Sequence, residues 1–363
     1  MKHYAIPLVP GPVTVPAATL AAHAQNWGSS DLEPEFIDLY RETAGLLQRI
    51  MLTRNDVAIA LGEAMVVLWG AIKSALAPGD RALIVSSGLF GAGFADMARV
   101  AGAEVRTVDF PFNELPDPDV VAAAAREYRP ALVTMVHCET PCGTLTPVEA
   151  VGKRLREVAP DALFVVDAVA SIGGAPLDTD AAQIDFCLLG SQKCLATVPD
   201  IGMVAVSERG WAKVAQVGYA GYDALLPFRR AVEEHYFPYT HSWHGVAALN
   251  AACRALLDEG LAASHARHAR IAQGWRDAAR DLGLALYPVR EDSCSPTVTA
   301  LQMPASLDWP TLNARLRRRG MAVGGNYGPL AGKVFRIGHM GTQATDDLLE
   351  RGAAALREAL REE

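Results

Sequence analysis

The chain has 363 residues and a formal net charge of −8, with half its residues apolar and a fifth charged; that is ordinary for a globular protein and long enough for two domains, or for one large α/β domain with an appendage. The acidic balance argues against a nucleic-acid or anionic-membrane partner. The opening MKHYAIPLVPGP is too short and proline-rich for a secretory h-region, and no apolar run reaches the length of a bilayer span, so the chain is expected in the cytoplasm.

From 57 to 207, apolar runs alternate with helical stretches. VAIAL (57–61), ALIVS (82–86), EVRTVDF (104–110), ALVTMVH (131–137), LFVVDA (163–168), DFCLLG (185–190) and GMVAVS (202–207) read as strands. They are short and apolar on both faces, the pattern of strands covered by helices on both sides. Between them lie helical patterns such as LFGAGFADMARVAGA and TPVEAVGKRLREVAP. This alternation predicts a mostly parallel seven-stranded sheet with helices on both faces. After about residue 250 the texture changes. An alanine-rich stretch long enough for one extended helix or two is followed by short strands near 297–303 and 333–340, with a helix between them and another at the end. We expect a large domain over 16–250, and a smaller α+β domain built from 251–363 with residues 1–15.

Six cysteines stand at 138, 142, 187, 194, 253 and 294. A reducing compartment leaves them as thiols. Cys138 and Cys142 form a C-x3-C pair, but no second pair or histidine cluster completes a zinc site, so no metal is expected and the two read as packing residues. Arg315, Arg317, Arg318 and Arg319 read as the solvated end of a helix.

In an open α/β sheet, ligands sit beyond the C-terminal ends of the strands. Four strand ends there carry polar groups in an apolar setting. Asp167 ends LFVVD; taken alone, a helix cap or turn aspartate accounts for it. Glu139, Thr140 and Thr144 follow the next strand, where turn chemistry is the simple account. Lys193 follows DFCLLG directly, and a lysine between apolar residues is rare unless it works. Arg336 lies inside the apolar run KVFRIGHM; its planar fork suits a carboxylate, with an internal salt bridge as the plain alternative. A lysine that forms a Schiff base, an aspartate that keeps a pyridine nitrogen protonated and an arginine that holds a substrate carboxylate together describe pyridoxal chemistry.

The sequence resembles the class V aminotransferases of fold type I over almost its whole length. VPGPVTVP, VHCETPCGTLTPVEAVG, VVDAVASIGGAPLDTDAAQIDFCLLGSQK and FRIGHMG carry the likeness. The resemblance implies that Lys193 is the Schiff-base lysine and Asp167 the partner of the pyridine nitrogen. It puts Phe90 where an aromatic ring stacks on the pyridine, Thr140 near the ring hydroxyl, and Arg336 on the substrate carboxylate. Gly11 falls in the N-terminal substrate loop. Gln192 matches a group that helps hold the cofactor phosphate, and Thr240 one that reaches the partner subunit's site, so a homodimer or homotetramer is implied.

One stretch departs from that pattern. Most members carry G-S-G-T or similar where this chain has Gly62-Glu63-Ala64-Met65. The hydroxyls that would cradle a phosphate are missing, and a negative charge is supplied instead. Two unit charges about 4 Å apart repel by roughly 4 kcal/mol near a protein surface, and even a heavily discounted repulsion costs roughly a hundredfold in affinity. At this point the chain resembles the pyridoxamine–pyruvate branch of the family, which has G-E there and handles unphosphorylated pyridoxamine and pyridoxal as substrates. A carboxylate can accept a hydrogen bond from a free 5′-hydroxymethyl group. The plain alternative is a carboxylate that only stabilises the first turn of a helix. Tyr327 stands where that branch has a second arginine, Phe90 where it has tyrosine, and Tyr239 where it has phenylalanine.

The leading expectation is amino transfer from pyridoxamine to pyruvate, or a similar small 2-keto acid, giving pyridoxal and L-alanine in a route of vitamin B6 degradation. The alternative is an enzyme that keeps pyridoxal phosphate (PLP) bound and acts on a small amino acid or aminophosphonate. A pyridoxal-binding sensor is disfavoured by the complete Lys193, Asp167 and Arg336 set, and a desulfurase by the lack of a catalytic cysteine on a mobile loop.

Overall fold

In the computed structural model, which describes residues 4–362, seven strands form one twisted sheet. They are β1 (Asp56–Leu61), β2 (Arg81–Ser86), β3 (Glu104–Asp109), β4 (Leu132–Val136), β5 (Leu163–Asp167), β6 (Phe186–Gly190) and β7 (Ile201–Val206). Their order across the sheet is β1-β7-β6-β5-β4-β2-β3. Neighbours are parallel, except that β7 runs against both β1 and β6. Six strands therefore point the same way. Every residue of β4, β5, β6 and β7 is buried, so both pleat faces are covered by helices, as continuous Val, Ile and Leu runs require.

The expected strand boundaries hold to within a residue at each end. One expectation needs correction. β3 is not apolar and buried on both faces: its central residues are half-buried and both ends exposed, because it is the sheet edge.

Two helices start at the C-terminal edge of the sheet. Helix α1 (Ala64–Ala75) follows β1, and helix α2 (Leu89–Val100) follows β2. The alanine-rich stretch after β7 forms two helices, Trp243–Glu259 and Leu261–Asp281, broken at Gly260, whose φ of 85° suits glycine.

A second hydrophobic core joins residues from both ends of the chain. Ile6 and Leu8 pack with Trp275, Met321, Phe335 and Leu356. Strand Ile6–Leu8 pairs in parallel with Met321–Val323, and Val298–Gln302 pairs antiparallel with Val334–Gly338. The arginine cluster near 315–319 is not simply solvated. Arg315 and Arg319 turn onto the C-terminal end of helix Asp346–Arg361, where Arg315 donates to the Ala359 carbonyl and Arg319 pairs with Glu358 and Glu362. Cations there satisfy free carbonyls and oppose the helix dipole. Among the described residues, no helix is long and apolar enough to cross a membrane, and no group of three or more His, Cys, Asp or Glu is placed to hold a metal ion.

Candidate active site

Five codirectional strands deliver side chains to one cleft. Glu63 follows β1, Phe90 follows β2, Cys138 and Thr140 follow β4, Asp167 ends β5 and Lys193 follows β6. The cavity between these walls is small, about 80 Å³.

Asp167 is buried, and its Oδ1 accepts a hydrogen bond from the Val169 N–H at 2.9 Å. Burial raises its pKa to about 6; the Val169 N–H and the Lys193 cation pull it back, and Glu63 adds to the rise. Lys193 is largely enclosed, and its Nζ donates to the Pro10 carbonyl at 2.6 Å. Burial lowers its pKa, as does Arg336, while Cys138, Asp167 and Glu63 act the other way. The approach of Pro10 depends on the next residue. A Cβ on Gly11 would lie 2.6 Å from Lys193 Cδ and 2.7 Å from Nζ, and Gly11 has φ +90°. The N-terminal segment thus lies directly against the lysine.

Glu63 is the N-cap of α1. Its Oε2 accepts the Met65 N–H at 2.9 Å, and its Oε1 accepts from the Gln192 side-chain amide. The bare helix start, a ready anion site, is thereby occupied by the chain's own carboxylate, which also lines the cleft. The two accounts of Glu63, helix cap and cleft wall, are both true of its position. The family pattern aims Gln192 at a phosphate. Its amide nitrogen is instead turned onto Glu63, and its buried Oε1 has no hydrogen-bond partner among the described residues.

Arg336 sits in strand Val334–Gly338 and is buried. Its Nε donates to the Gly325 carbonyl at 2.8 Å, and its guanidinium lies 5.1 Å from the Tyr327 ring centroid. No carboxylate pairs with it among the described residues, so an internal salt bridge does not explain it. A buried guanidinium against an aromatic ring, with no carboxylate partner among the described residues, has the donor geometry to accept an external carboxylate. Tyr327 itself is exposed.

Thr140 is buried and lines the cleft, as does Phe90, which is 36% exposed. Thr240 does not line the cleft of its own chain. It is exposed and donates to Asp31 Oδ2 at 2.7 Å. Cys138 and Cys142 are buried free thiols; Cys138 faces the Ser295 and Thr297 hydroxyls, and burial pushes its pKa to about 11.

One residue reads from the sequence only as a turn. Glu139 is fully buried and accepts hydrogen bonds from the Phe90 N–H at 3.2 Å and the Gly91 N–H at 2.5 Å. Burial raises its pKa to about 7 against those two donors, with Asp167 adding to the rise. The sequence does hold a signal for it: the N-cap of α2 is Gly88, which offers no capping side chain.

The family model for "Aminotransferase class-V" matches residues 29–333. The chain belongs to the class V aminotransferases. Pyridoxamine–pyruvate transaminase of Mesorhizobium japonicum is 32% identical to this class V chain over 320 residues, covering 86% of it and 81% of the relative. Among solved structures, pyridoxamine–pyruvate aminotransferase from Mesorhizobium loti superposes with a TM-score of 0.94 at 30% identity, covering 99% of this chain and 92% of that one. Alanine–glyoxylate aminotransferase from Nostoc sp. matches equally, with a TM-score of 0.94 at 30% identity, covering 99% and 96%. The family is PLP-dependent, and the fold is that of fold type I aminotransferases.

Proposed function

We propose that this aminotransferase takes unphosphorylated pyridoxamine as amino donor and a small 2-keto acid, pyruvate in the first instance, as acceptor, releasing pyridoxal and L-alanine. The observation that carries the reading is the Glu63 carboxylate at the N-terminus of α1, held by Met65 and Gln192. The N–H groups that would receive a phosphate face an anion already in place. Each carboxylate oxygen has a further lone pair, so Glu63 can still accept from a 5′-hydroxymethyl group.

The other residues fit a pyridine vitamer. A bound vitamer supplies a carbonyl or amine carbon conjugated to an electron-withdrawing ring. The Asp167 carboxylate holds the proton at the ring nitrogen, and the buried setting makes that pairing strong. Phe90 fixes the ring plane from the mouth of the cleft, and Thr140 lies toward the ring hydroxyl. The Lys193 Nζ, kept toward its neutral form by burial and by Arg336, carries the covalent attachment and moves a proton between substrate carbons as a general base. Arg336 receives the keto-acid carboxylate on its free edge, with Tyr327 against its face and the Gly11 backbone beside it. Thr240 is assigned to the partner's site in a homodimer or larger assembly. The exposed apolar side chains of Leu61, Met65 and Val66 around the start of α1 support that reading.

The test is a titration of cofactor-free protein with pyridoxal and, separately, with PLP, followed by borohydride fixation, peptide mapping of the adduct to Lys193, and turnover assays with pyridoxamine and its phosphate. Preference for pyridoxal and turnover of pyridoxamine are expected. A second reading, a resident PLP with a small amino acid and glyoxylate-type acceptor, is favoured by the equal likeness to the Nostoc enzyme. It requires the opposite preference and a purified protein that carries phosphate.

A further inference from the structure

The Phe90 wall of the cleft is built on a helix start that lacks a cap of its own. Gly88 precedes α2 with no side chain to offer. The missing acceptor comes from another loop: the Glu139 carboxylate reaches over, with Oε2 on the Phe90 N–H and Oε1 on the Gly91 N–H. The fit leaves no spare room. A Cβ on Gly88 would lie 2.3 Å from Glu139 Cδ, and one on Gly91 3.1 Å from Oε1. Gly88 has φ −179°, an extended conformation open to any residue, so its lack of a side chain answers to Glu139 and not to backbone strain. The residues on either side of Glu139, Cys138 and Thr140, face the cleft. One buried carboxylate thus ties the wall after β2 to the wall after β4.

We propose that Glu139 is a positioning residue that sets Phe90 against the bound pyridine ring and fixes the distance between the Phe90 and Thr140 walls. This rests on the reading that a pyridine vitamer occupies the cleft. A carboxylate accepting two N–H groups at a helix start is a charge-assisted contact, and its loss frees the first turn of α2 to move Phe90. Glu139→Gln keeps the size but turns an N–H₂ group toward one of the two donors.

The experiment is a double-mutant cycle on the full-length protein. Binding of pyridoxal and of PLP is measured by absorbance, and the circular dichroism of the bound ring reports its tilt. Glu139→Gln and Phe90→Ala are each expected to weaken the preferred vitamer about tenfold, the size of one lost charged hydrogen bond or stacking contact. Together they are expected to weaken it by much less than the hundredfold that independent effects give, and Glu139→Gln alone is expected to change the ring dichroism. A second route serves if Glu139→Gln folds poorly. Gly88→Ala is expected to reproduce its binding loss, and in a Glu139→Ala background, where the collision is gone, to add nothing further. Full additivity in the cycle with unchanged dichroism, or a harmless Gly88→Ala, overturns the proposal. A preference for PLP overturns the vitamer reading only, because the cycle is run on whichever form binds.

Discussion

The side-chain amide of Gln192 is bonded to the Glu63 carboxylate, 129 residues away in sequence, while the same carboxylate caps α1 through Met65. The contact turns a group the family uses on phosphate into the holder of an anion. Replacing Glu63 by serine keeps a good helix cap and removes the charge. We expect Glu63→Ser to shift the ratio of pyridoxal to PLP affinity toward PLP by about 10- to 100-fold, with little change in melting temperature. Parallel titrations with the two vitamers read the shift, and an unchanged ratio would mean that Glu63 acts as a cap alone.

Among the described residues, Lys193 is the one amine that lines the cleft. Lys193→Ala is expected to abolish borohydride-fixable adduct and to lower amino transfer by at least roughly 10²- to 10⁴-fold, the usual scale for a lost general base. The folded state should be no less stable, because a largely buried ionisable amine, whose charged form burial disfavours, has been removed. Mass mapping and thermal melts check the two halves separately.

The pH dependence of Asp167 has opposite signs for folding and for binding. Burial raises its pKa from 3.8 to about 6 in the protein without ligand. The folded chain therefore holds this proton more tightly than the unfolded chain does. The stability it contributes is present below about pH 4 and is lost as the pH rises through about 6. Asp167→Asn should flatten the fall in melting temperature across that window by roughly 2–4 °C. Binding of a vitamer with a protonated ring nitrogen needs the ionised form, so wild-type affinity should rise through about pH 6 and the rise should vanish in Asp167→Asn. Melts and titrations at a series of pH values would show both, and a wild-type affinity that stays flat through that range sinks the assignment.

Arg336 has Nε committed to Gly325 and its guanidinium against Tyr327, with no carboxylate partner among the described residues. Lysine cannot reproduce both the Gly325 bond and a two-pronged grip. Arg336→Lys is expected to raise the KM for pyruvate about 10- to 100-fold while pyridoxal binding stays within about twofold. Steady-state kinetics beside a vitamer titration separate the two.

A Cβ on Gly11 collides with the Lys193 side chain, and the position has positive φ, so Gly11→Ala is strained twice. The expected result is a slower, weaker adduct at Lys193 with the large-domain core intact. Stopped-flow absorbance after mixing with pyridoxal measures it, and wild-type rates would show that the loop simply moves aside.

The sheet is legible in the sequence because β4 to β7 are apolar on both faces and closed off by polar or turn-forming residues, His137, Asp167, Gly190 and Ser207, which fixes their ends to a residue. Lys193, Asp167 and Arg336 stand out as charges inside apolar runs, and the cleft brings the first two together, with Arg336 near enough to depress the lysine. What escapes a sequence reading depends on distant partners. Strand Ile6–Leu8 has three residues and pairs with a segment over three hundred positions away, so no local pattern announces it. Glu139 looks like a turn residue because the donors it serves lie 48 and 49 residues earlier. The role of Gln192 comes from the phosphate-binding pattern of the family, which does not say that its amide turns onto Glu63. The arginines at 315–319 read as a charge run, which says nothing of the helix end beside them.

The pairing of Ile6–Leu8 with Met321–Val323 also orders events during synthesis. The sheet and its helices are complete by about residue 260, and such a unit can consolidate on its own as the chain emerges. The segment from Ile6 to Gly11 has no strand partner until Met321 is made, and that same segment places the Pro10 carbonyl on Lys193. A chain synthesised only as far as residue 260 can thus fold its large domain while Lys193 still lacks its Pro10 neighbour. The Pro10 contact on Lys193 is therefore set only after every residue that lines the rest of the cleft has been made.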